Sequence, residues 1–521
     1  MKSSDLYNKA EKLEWLKWLL FAGIAAIFVM VSLQTEGYDD EFYNIRYVRE
    51  LNLVDLVKYM QSYDLHPPLS YVLNYLIYNL LGSWPFTRVF SSLFFLISLF
   101  FYIKNQDNTK QKLIGLLLIG FNPTILLWVT GLRWYAYTVP LIILLSILPS
   151  PSKWYYWGKY FFLIIIISYL GYAGLFLALP YFIYYWIHDT NELKLKWRRI
   201  WPWALVTMIL YAYQFYIFIT VHSKVNLAEK ANQQVFDLKT SLISFVASIA
   251  SNQGVFPLSL WGVCSIVGSV LFYGVLIYYY RSTKNATNWI VFISLSFIFL
   301  VTGIAGKVRN LVLLEPARNK LFANAFLLKN KIVLVAFILL ISGNVAGIYN
   351  IVTHQRTTKN AWNIPVLPTM EKLFLLEQNG VTEVYFTHHP SFDYYLMSSG
   401  KKVISFYNSL YFDTTNIHID LERLKRLPDF SRKNFTFILT YRGRSIEQEH
   451  YNAMRDAISK MKCDSVQHFF YNEDDEYKLK QHFFKDYPRF QTEVYKLYNV
   501  QPDYNKLKSW EVNKLAGAVE N

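Results

Sequence analysis

"WLLFAGIAAIFVMVSLQTEGYDDEFYNIRYVRE", residues 18–50, decides the fold. The run from Trp18 to Leu33 carries no charge, and a bilayer core about 30 Å thick calls for roughly 20 such residues per helix. Comparable runs recur along the first two thirds of the chain and stop after about residue 352. Lys2, Lys9, Lys12 and Lys17 precede the first run, so the bias of basic residues toward cytoplasmic flanks keeps the N-terminus in the cytoplasm and sends Thr35 to the other side. A cleavable secretory signal would end in a small-x-small site. Gln34, Thr35, Glu36 and Gly37 follow instead, and the segment reads as an uncleaved anchor.

Composition agrees with this reading. With 53% hydrophobic, 18% aromatic and only 17% charged residues over 521 positions, the chain is too apolar for an ordinary soluble enzyme. The net charge of +15 does not mark a nucleic-acid binder, because the lysines and arginines cluster between apolar runs and not along one amphipathic face. Two cysteines, Cys264 and Cys463, make neither a disulfide framework nor a zinc site.

Basic flanks order the remaining spans. "RVFSSLFFLISLFFYI" returns to a loop with Lys104, Lys110 and Lys112; "LIGLLLIGFNPTILLWV" goes out and "WYAYTVPLIILLSIL" comes back to Lys153. Tyr160 to Ile187 is long enough for two short helices bent at "GYAG", ending before the basic "KLKWRR". After "WPWALVTMILYAYQFYIFIT", a polar outer loop runs from Val221 to Thr240. Residues 260–280 return, 289–304 exit, Leu311 to Leu328 form a weak returning segment, and "IVLVAFILLISGNVAGIY" is the last exit. The expectation is a polytopic α-helical membrane protein with about eleven transmembrane helices in residues 1–352.

From residue 353 the pattern changes to that of a soluble α/β domain, residues 353–521, placed outside the membrane by the same topology. "PTMEKLFLLEQNG" has helical spacing, "VTEVYF", "KKVISFY" and "NFTFILTYRG" are β-rich, and "EQEHYNAMRDAISKM" is helical again. No glycine-rich phosphate loop occurs there, which leaves substrate shaping or partner binding. The stretch after about Tyr487 is polar and reads as loosely ordered.

The first outer loop, residues 35–85, has its own organisation. Phe42, Ile45, Val48 and Leu51 repeat three apart, and Leu53, Leu56, Val57 and Met60 share a face, so two amphipathic helices are expected on the membrane surface. "LHPPLSYVLNYLIYNLLG" opens on two prolines suited to a helix start and is apolar for only about 15 residues, short for a span.

The ordered set of an outer Asp40–Glu41, an amphipathic helix, "HPPL" (His66 to Leu69), a Gly, Arg88 opening the next span, "GLRWYAY" (Arg133, Tyr135) and "GKVRNLVLLEP" (Lys307, Arg309) resembles the polytopic GT-C glycosyltransferases. The branch it is most similar to contains the protein O-mannosyltransferases and the lipid A aminoarabinose transferases. The absence of a "WWD" motif separates it from the oligosaccharyltransferase branch. What the resemblance implies is a GT-C fold with a soluble domain after the last helix, a polyprenyl-phosphate sugar donor, and a lipid, glycan or protein acceptor at the outer face.

The residues carry the same chemistry. Moving a sugar from a polyprenyl-phosphate to a hydroxyl needs a base for the acceptor proton, and Asp40 is the candidate, with Asp39 its rival and Glu41 orienting the acceptor or sharing the proton. Adjacent acids at the edge of lipid hold their last proton more tightly than a solvated carboxylate. Without the ordered set, such a triplet is simply a solvated helix end. Arg133, Lys307 and Arg309 interrupt apolar runs, where cations are costly and take partners; each either binds a phosphate oxygen or snorkels to headgroups. His66 hydrogen-bonds donor or acceptor, or caps the helix after the prolines; Tyr135 belongs to the Arg-x-Tyr motif; Arg88 reads as a substrate ligand or an interface anchor. Asp39, Asp40, Glu41 and His66 also supply oxygen and nitrogen ligands suited to a divalent ion, although the resemblance implies no obligatory metal or other cofactor. The competing class is a transporter or flippase of lipid-linked saccharides, which would show inverted repeats and charges at the bilayer midplane. Neither is found.

Overall fold

The computed structural model describes residues 3–34, 39–62, 67–106, 109–148, 153–171, 175–189, 192–217, 219–220, 242, 245–246, 249–255, 259–278, 286–301, 308–326, 330–353, 372–377, 382–387, 392, 396, 401–405, 433–441, 455, 458–459, 463–472 and 491–500. Contacts divide the chain into two compact units, residues 1–36, 47–230 and 234–359 in the first and 37–46, 231–233 and 360–521 in the second.

The helices in chain order are α1 (Ser3–Gln34), α2 (Asp39–Glu50), α3 (Leu53–Ser62), α4 (Leu69–Leu81), α5 (Trp84–Lys104), α6 (Thr109–Gly115), α7 (Pro123–Val129), α8 (Tyr135–Ser146), α9 (Trp154–Leu170), α10 (Leu175–His188) and α11 (Leu193–Ile217). After them come α12 (Leu260–Tyr278), α13 (Ala286–Val301), a 3-10 helix (Val308–Leu314), α14 (Glu315–Ala325) and α15 (Lys331–Val352). Among the described residues five helices are long and apolar enough to cross a bilayer: Glu14–Leu33, Trp84–Lys104, Leu193–Ile217, Leu260–Tyr278 and Lys331–Val352. A sixth span follows if the bent pair at residues 109–129 is one crossing. The difference from the eleven expected falls largely on shorter apolar helices such as Leu69–Leu81, Tyr135–Ser146, Phe176–Ile187 and Trp289–Leu300.

Polarity runs inside out, as lipid requires. Along α5 the exposed residues are Phe86, Phe90, Leu93, Ile97 and Phe101, one stripe at helical spacing, while Thr87, Arg88, Ser91, Ser92 and Ser98 are buried. Ser32 of α1 and Ser92 of α5 share a hydrogen bond of 2.6 Å inside the bundle. Water would reward the opposite arrangement; the chain is an integral membrane protein. The α12–α15 pair is held by small residues. A Cβ on Gly268 would lie 2.7 Å from the Ala336 carbonyl oxygen, and one on Gly343 would lie 2.9 Å from that of Trp261, so the two backbones approach directly.

Local signals set several boundaries. α4 begins after Pro68 and ends at Gly82, whose φ of +66° permits the left-handed cap that returns its N–H to the Tyr78 carbonyl at 2.7 Å. The expected straight span over 113–129 is broken. α6 passes into a π turn at Leu116–Gly120, and α7 leaves at 58° because Pro123 lacks the N–H that would continue the ladder and Asn122 caps the new helix. Tyr160 to Ile187 does contain two helices, with Gly171 against the Trp134 ring between them. The basic "KLKWRR", read as a flank, is the first turns of α11. On the amphipathic faces of α2 and α3, Ile45, Val48, Leu56 and Met60 are buried and Leu51, Leu53 and Val57 are half-buried. The loop from Val221 to Thr240 lies outside the described residues.

The second unit contains a five-stranded mixed sheet of order β2-β1-β3-β5-β4, with β1 (Thr382–Thr387), β2 (Lys402–Ser405), β3 (Lys433–Tyr441), β4 (Ser465–Asn472) and β5 (Gln491–Val500). β1 pairs in parallel with β2 and β3, and β5 runs antiparallel to both β3 and β4. The expectation of loose order after Tyr487 is wrong for β5, an interior strand whose Val494 and Leu497 are fully buried. Its polar Lys496 is buried too, and donates to the Glu383 carboxylate and the Leu376 carbonyl at 2.9 Å each.

Candidate functional site

Every residue from Asn122 to Ile143 is buried, so the turn between α7 and α8 is an interior one and Arg133 sits in it with 8% of its surface exposed. A guanidinium at that depth takes a partner. Its Nη1 donates to the Tyr71 hydroxyl of α4 at 2.9 Å. One turn further along α4, Asn74 donates to the Leu132 carbonyl at 2.7 Å and accepts from the Tyr137 hydroxyl at 2.6 Å. The helix that follows the two prolines is thus clamped at two points to the Arg133 turn and at a third to α8.

Tyr135 connects the turn to a distant segment. Its hydroxyl donates to Asn310 Oδ1 at 2.8 Å, across 175 positions of sequence. Asn310 follows Arg309 in the 3-10 helix, so the Arg-x-Tyr turn and the backbone of the second arginine motif are neighbours. The Tyr135 ring also lies 4.1 Å from that of Trp134 and 5.6 Å from that of Trp128. Such a surround, aromatic and low in dielectric, strengthens any ion pair made by Arg133.

The other candidates separate by position. Arg88, in the second turn of α5, is buried, with 6% of its surface exposed, on a helix that packs against α1, α4 and α8. Asp39, Asp40 and Glu41 form the first turn of α2, where the positive end of the helix dipole favours carboxylates. Glu41 is buried; the side chains of Asp39 and Asp40 lie outside the described residues, as do His66, Lys307 and the Arg309 side chain. The three acids belong to the second unit, and Arg88, Arg133 and Tyr135 to the first. Among the described residues no three His, Cys, Asp or Glu side chains converge on a metal position.

One cluster carries no role in the sequence reading. Glu315, at the start of α14, accepts from Arg318 Nη2 at 2.6 Å, Asn122 Nδ2 at 2.7 Å and Asn319 Nδ2 at 3.4 Å, and all four side chains are buried. Arg318 Nη1 donates to the Ile249 carbonyl at 3.2 Å. Nearby, Trp128 donates to Gln253 at 2.7 Å and the Gln253 amide donates to Thr124 at 2.9 Å. The available signal was the i,i+3 acid and arginine of "EPAR" inside a buried stretch. Tyr71 and Asn74, also i,i+3, went unread for the same reason: hydropathy scores a lone Tyr or Asn as noise.

No protein-family model matches the chain and no curated protein matches it. Solved structures similar to it include two of one protein. ArnT from Cupriavidus metallidurans in the apo state is 12% identical with a TM-score of 0.49, over 92% of this chain and 98% of that one. The same protein bound to undecaprenyl phosphate is 12% identical with a TM-score of 0.44, over the same shares. Likeness at this level is too low to carry a statement about the present site.

Proposed function

We propose that this chain is a GT-C-type glycosyltransferase that moves a sugar from a polyprenyl-phosphate donor to a hydroxyl acceptor at the outer face of the membrane. The observation that supports it best is the buried Arg133 guanidinium on the Tyr71 hydroxyl, with the Arg309 segment brought alongside through Tyr135 and Asn310. A fixed cation in an apolar, aromatic surround suits a lipid-linked phosphate, whose tail needs lipid and whose head needs positive charge. In this reading Arg133, Arg309 and Lys307 hold the phosphate oxygens. Asp40 takes the acceptor hydroxyl proton as its oxygen bonds to the anomeric carbon, and the carbon–oxygen bond to phosphate breaks, releasing polyprenyl phosphate. Glu41 and His66 orient the acceptor, and Arg88 supports the donor.

Purified full-length protein incubated with radiolabelled polyprenyl-phosphate sugars and a cell-envelope acceptor extract tests this. Labelled product is expected from the wild type, reduced about 10²- to 10⁴-fold in Asp40→Asn and retained in Asp39→Asn. Equal product from wild type and Asp40→Asn removes Asp40 as the base. No product with any donor removes the transferase reading.

A further inference from the structure

At the far end of α5 from Arg88 lies a cavity of about 480 Å³ between the C-terminal ends of α5 and α8 and the start of α9. Its wall is largely apolar, made by Phe101, Leu144, Ile147, Leu148, Phe162 and Leu163, and Asn105 and the side chains of Lys104 and Lys159 complete it. No acid lines it. Asn105 Nδ2 donates to the Ile147 carbonyl at 3.1 Å and ties the α5 and α8 ends together at the rim.

Arg88 and Lys104 are sixteen positions apart on one helix, about 24 Å at 1.5 Å per residue, most of a bilayer core about 30 Å thick. Arg133 lies just before α8, and Ile147 and Leu148 just after it, so the cavity and the Arg133 cluster lie at opposite ends of that helix. Phe101 and Phe162 are exposed, so the cavity opens toward lipid. Each lysine is held at an aromatic face, Lys104 Nζ at 4.9 Å from the Phe100 ring and Lys159 Nζ at 5.4 Å from that of Tyr156. Two cationic side chains thus border one apolar slot.

We propose that this cavity binds an anionic phospholipid, its phosphate between Lys104 and Lys159 and the first part of an acyl chain along Phe101, Leu163 and Leu148. The charge pairing selects an anionic head, and the volume holds a head and part of one chain. Nothing in this assignment depends on the transferase reading.

Native mass spectrometry of the full-length protein, released from mixed phosphatidylglycerol and phosphatidylcholine micelles, measures it. Wild type is expected to retain phosphatidylglycerol in preference. Lys104→Gln/Lys159→Gln should lose that preference by roughly 30-fold, two cations at the usual worth of one near a membrane surface. Lys104→Arg/Lys159→Arg should keep it. Leu163→Trp, which narrows the slot and leaves both lysines, should lose it, and Lys110→Gln/Lys112→Gln should not. A wild type without preference, a Gln pair that retains it, or an equal loss in the Lys110/Lys112 control, which would mean diffuse surface charge, overturns the site.

Discussion

Asn122 Nδ2 donates to the Glu315 carboxylate at 2.7 Å across 193 positions of sequence, while its Oδ1 accepts from the Ile125 backbone N–H at 3.1 Å and caps α7. One short side chain thus fixes both the break in the 113–129 stretch and the seat of a buried acid. Glu315 in turn holds Arg318, so the bend, the 3-10 helix and α14 are parts of one polar unit within an apolar bundle.

Removing one member of a buried ion pair leaves the other uncompensated. Glu315→Ala is expected to destabilise the protein by about 3–5 kcal/mol, because Arg318 keeps its charge without its carboxylate. Asn122→Ala loses both a hydrogen bond to a charged group and a helix cap and should cost about 2–4 kcal/mol. Thermal unfolding of the detergent-purified chain reads both, and an unchanged Tm for Glu315→Ala contradicts the account.

Tyr71 aims Arg133 without carrying charge itself. Tyr71→Phe should weaken polyprenyl-phosphate binding about tenfold, the loss of one hydrogen bond to a charged group, and lower the Tm as well, since a buried guanidinium N–H loses its acceptor. Arg133→Lys should do worse than Tyr71→Phe, since an ammonium cannot reproduce the guanidinium fork. Equilibrium binding of the lipid phosphate to each variant decides it; Tyr71→Phe binding like wild type would separate the pair from the ligand.

At the α12–α15 contact, Gly268→Ala should destabilise by about 1–3 kcal/mol, because its Cβ meets backbone, the Ala336 carbonyl oxygen at 2.7 Å and the Leu340 nitrogen at 2.8 Å. Gly274, on the same helix with nothing within 4 Å of an added Cβ, should accept alanine freely. Comparing the two variants in one melting experiment removes differences in detergent and expression.

In the sheet, burial and the hydrogen bond to Glu493 push the Tyr495 phenol up to about 12 from its ordinary 10. Burial and the bond to Glu377 raise Tyr385 in the same direction. Both groups stay protonated in the folded state at a pH where the unfolded chain has lost the proton. Their contribution is complete below about pH 10 and is lost as pH rises through the folded value. Tyr495→Phe should flatten the decline in sheet stability between about pH 10 and 12, followed by circular dichroism; an unaltered slope would count against Tyr495 as its source.

Some elements were legible because their causes are local. Pro67 and Pro68 announce the start of α4, Gly82 its end, and "VTEVYF", "KKVISFY" and "NFTFILTYRG" cover β1, β2 and β3 to within one residue. β5 was missed for a physical reason: Glu493 and Lys496 make "QTEVYKLYNV" look solvated, yet Lys496 finds Glu383 on β1, two strands away, and the strand is interior. The amphipathic faces of α2 and α3 were visible, but periodicity does not say which of their residues protein covers, and here it covers Ile45, Val48, Leu56 and Met60.

For this protein the sequence alone determined that the chain enters a membrane, where α4 begins and ends, and which cations interrupt apolar stretches, because hydropathy and capping are settled within a turn or two of each residue. Only the tertiary structure decided which groups those polar residues meet: Tyr71 for Arg133, Asn310 for Tyr135, Asn122 for Glu315. A buried polar group must find a partner, but the bilayer and the bundle leave its identity to packing between segments far apart in the chain.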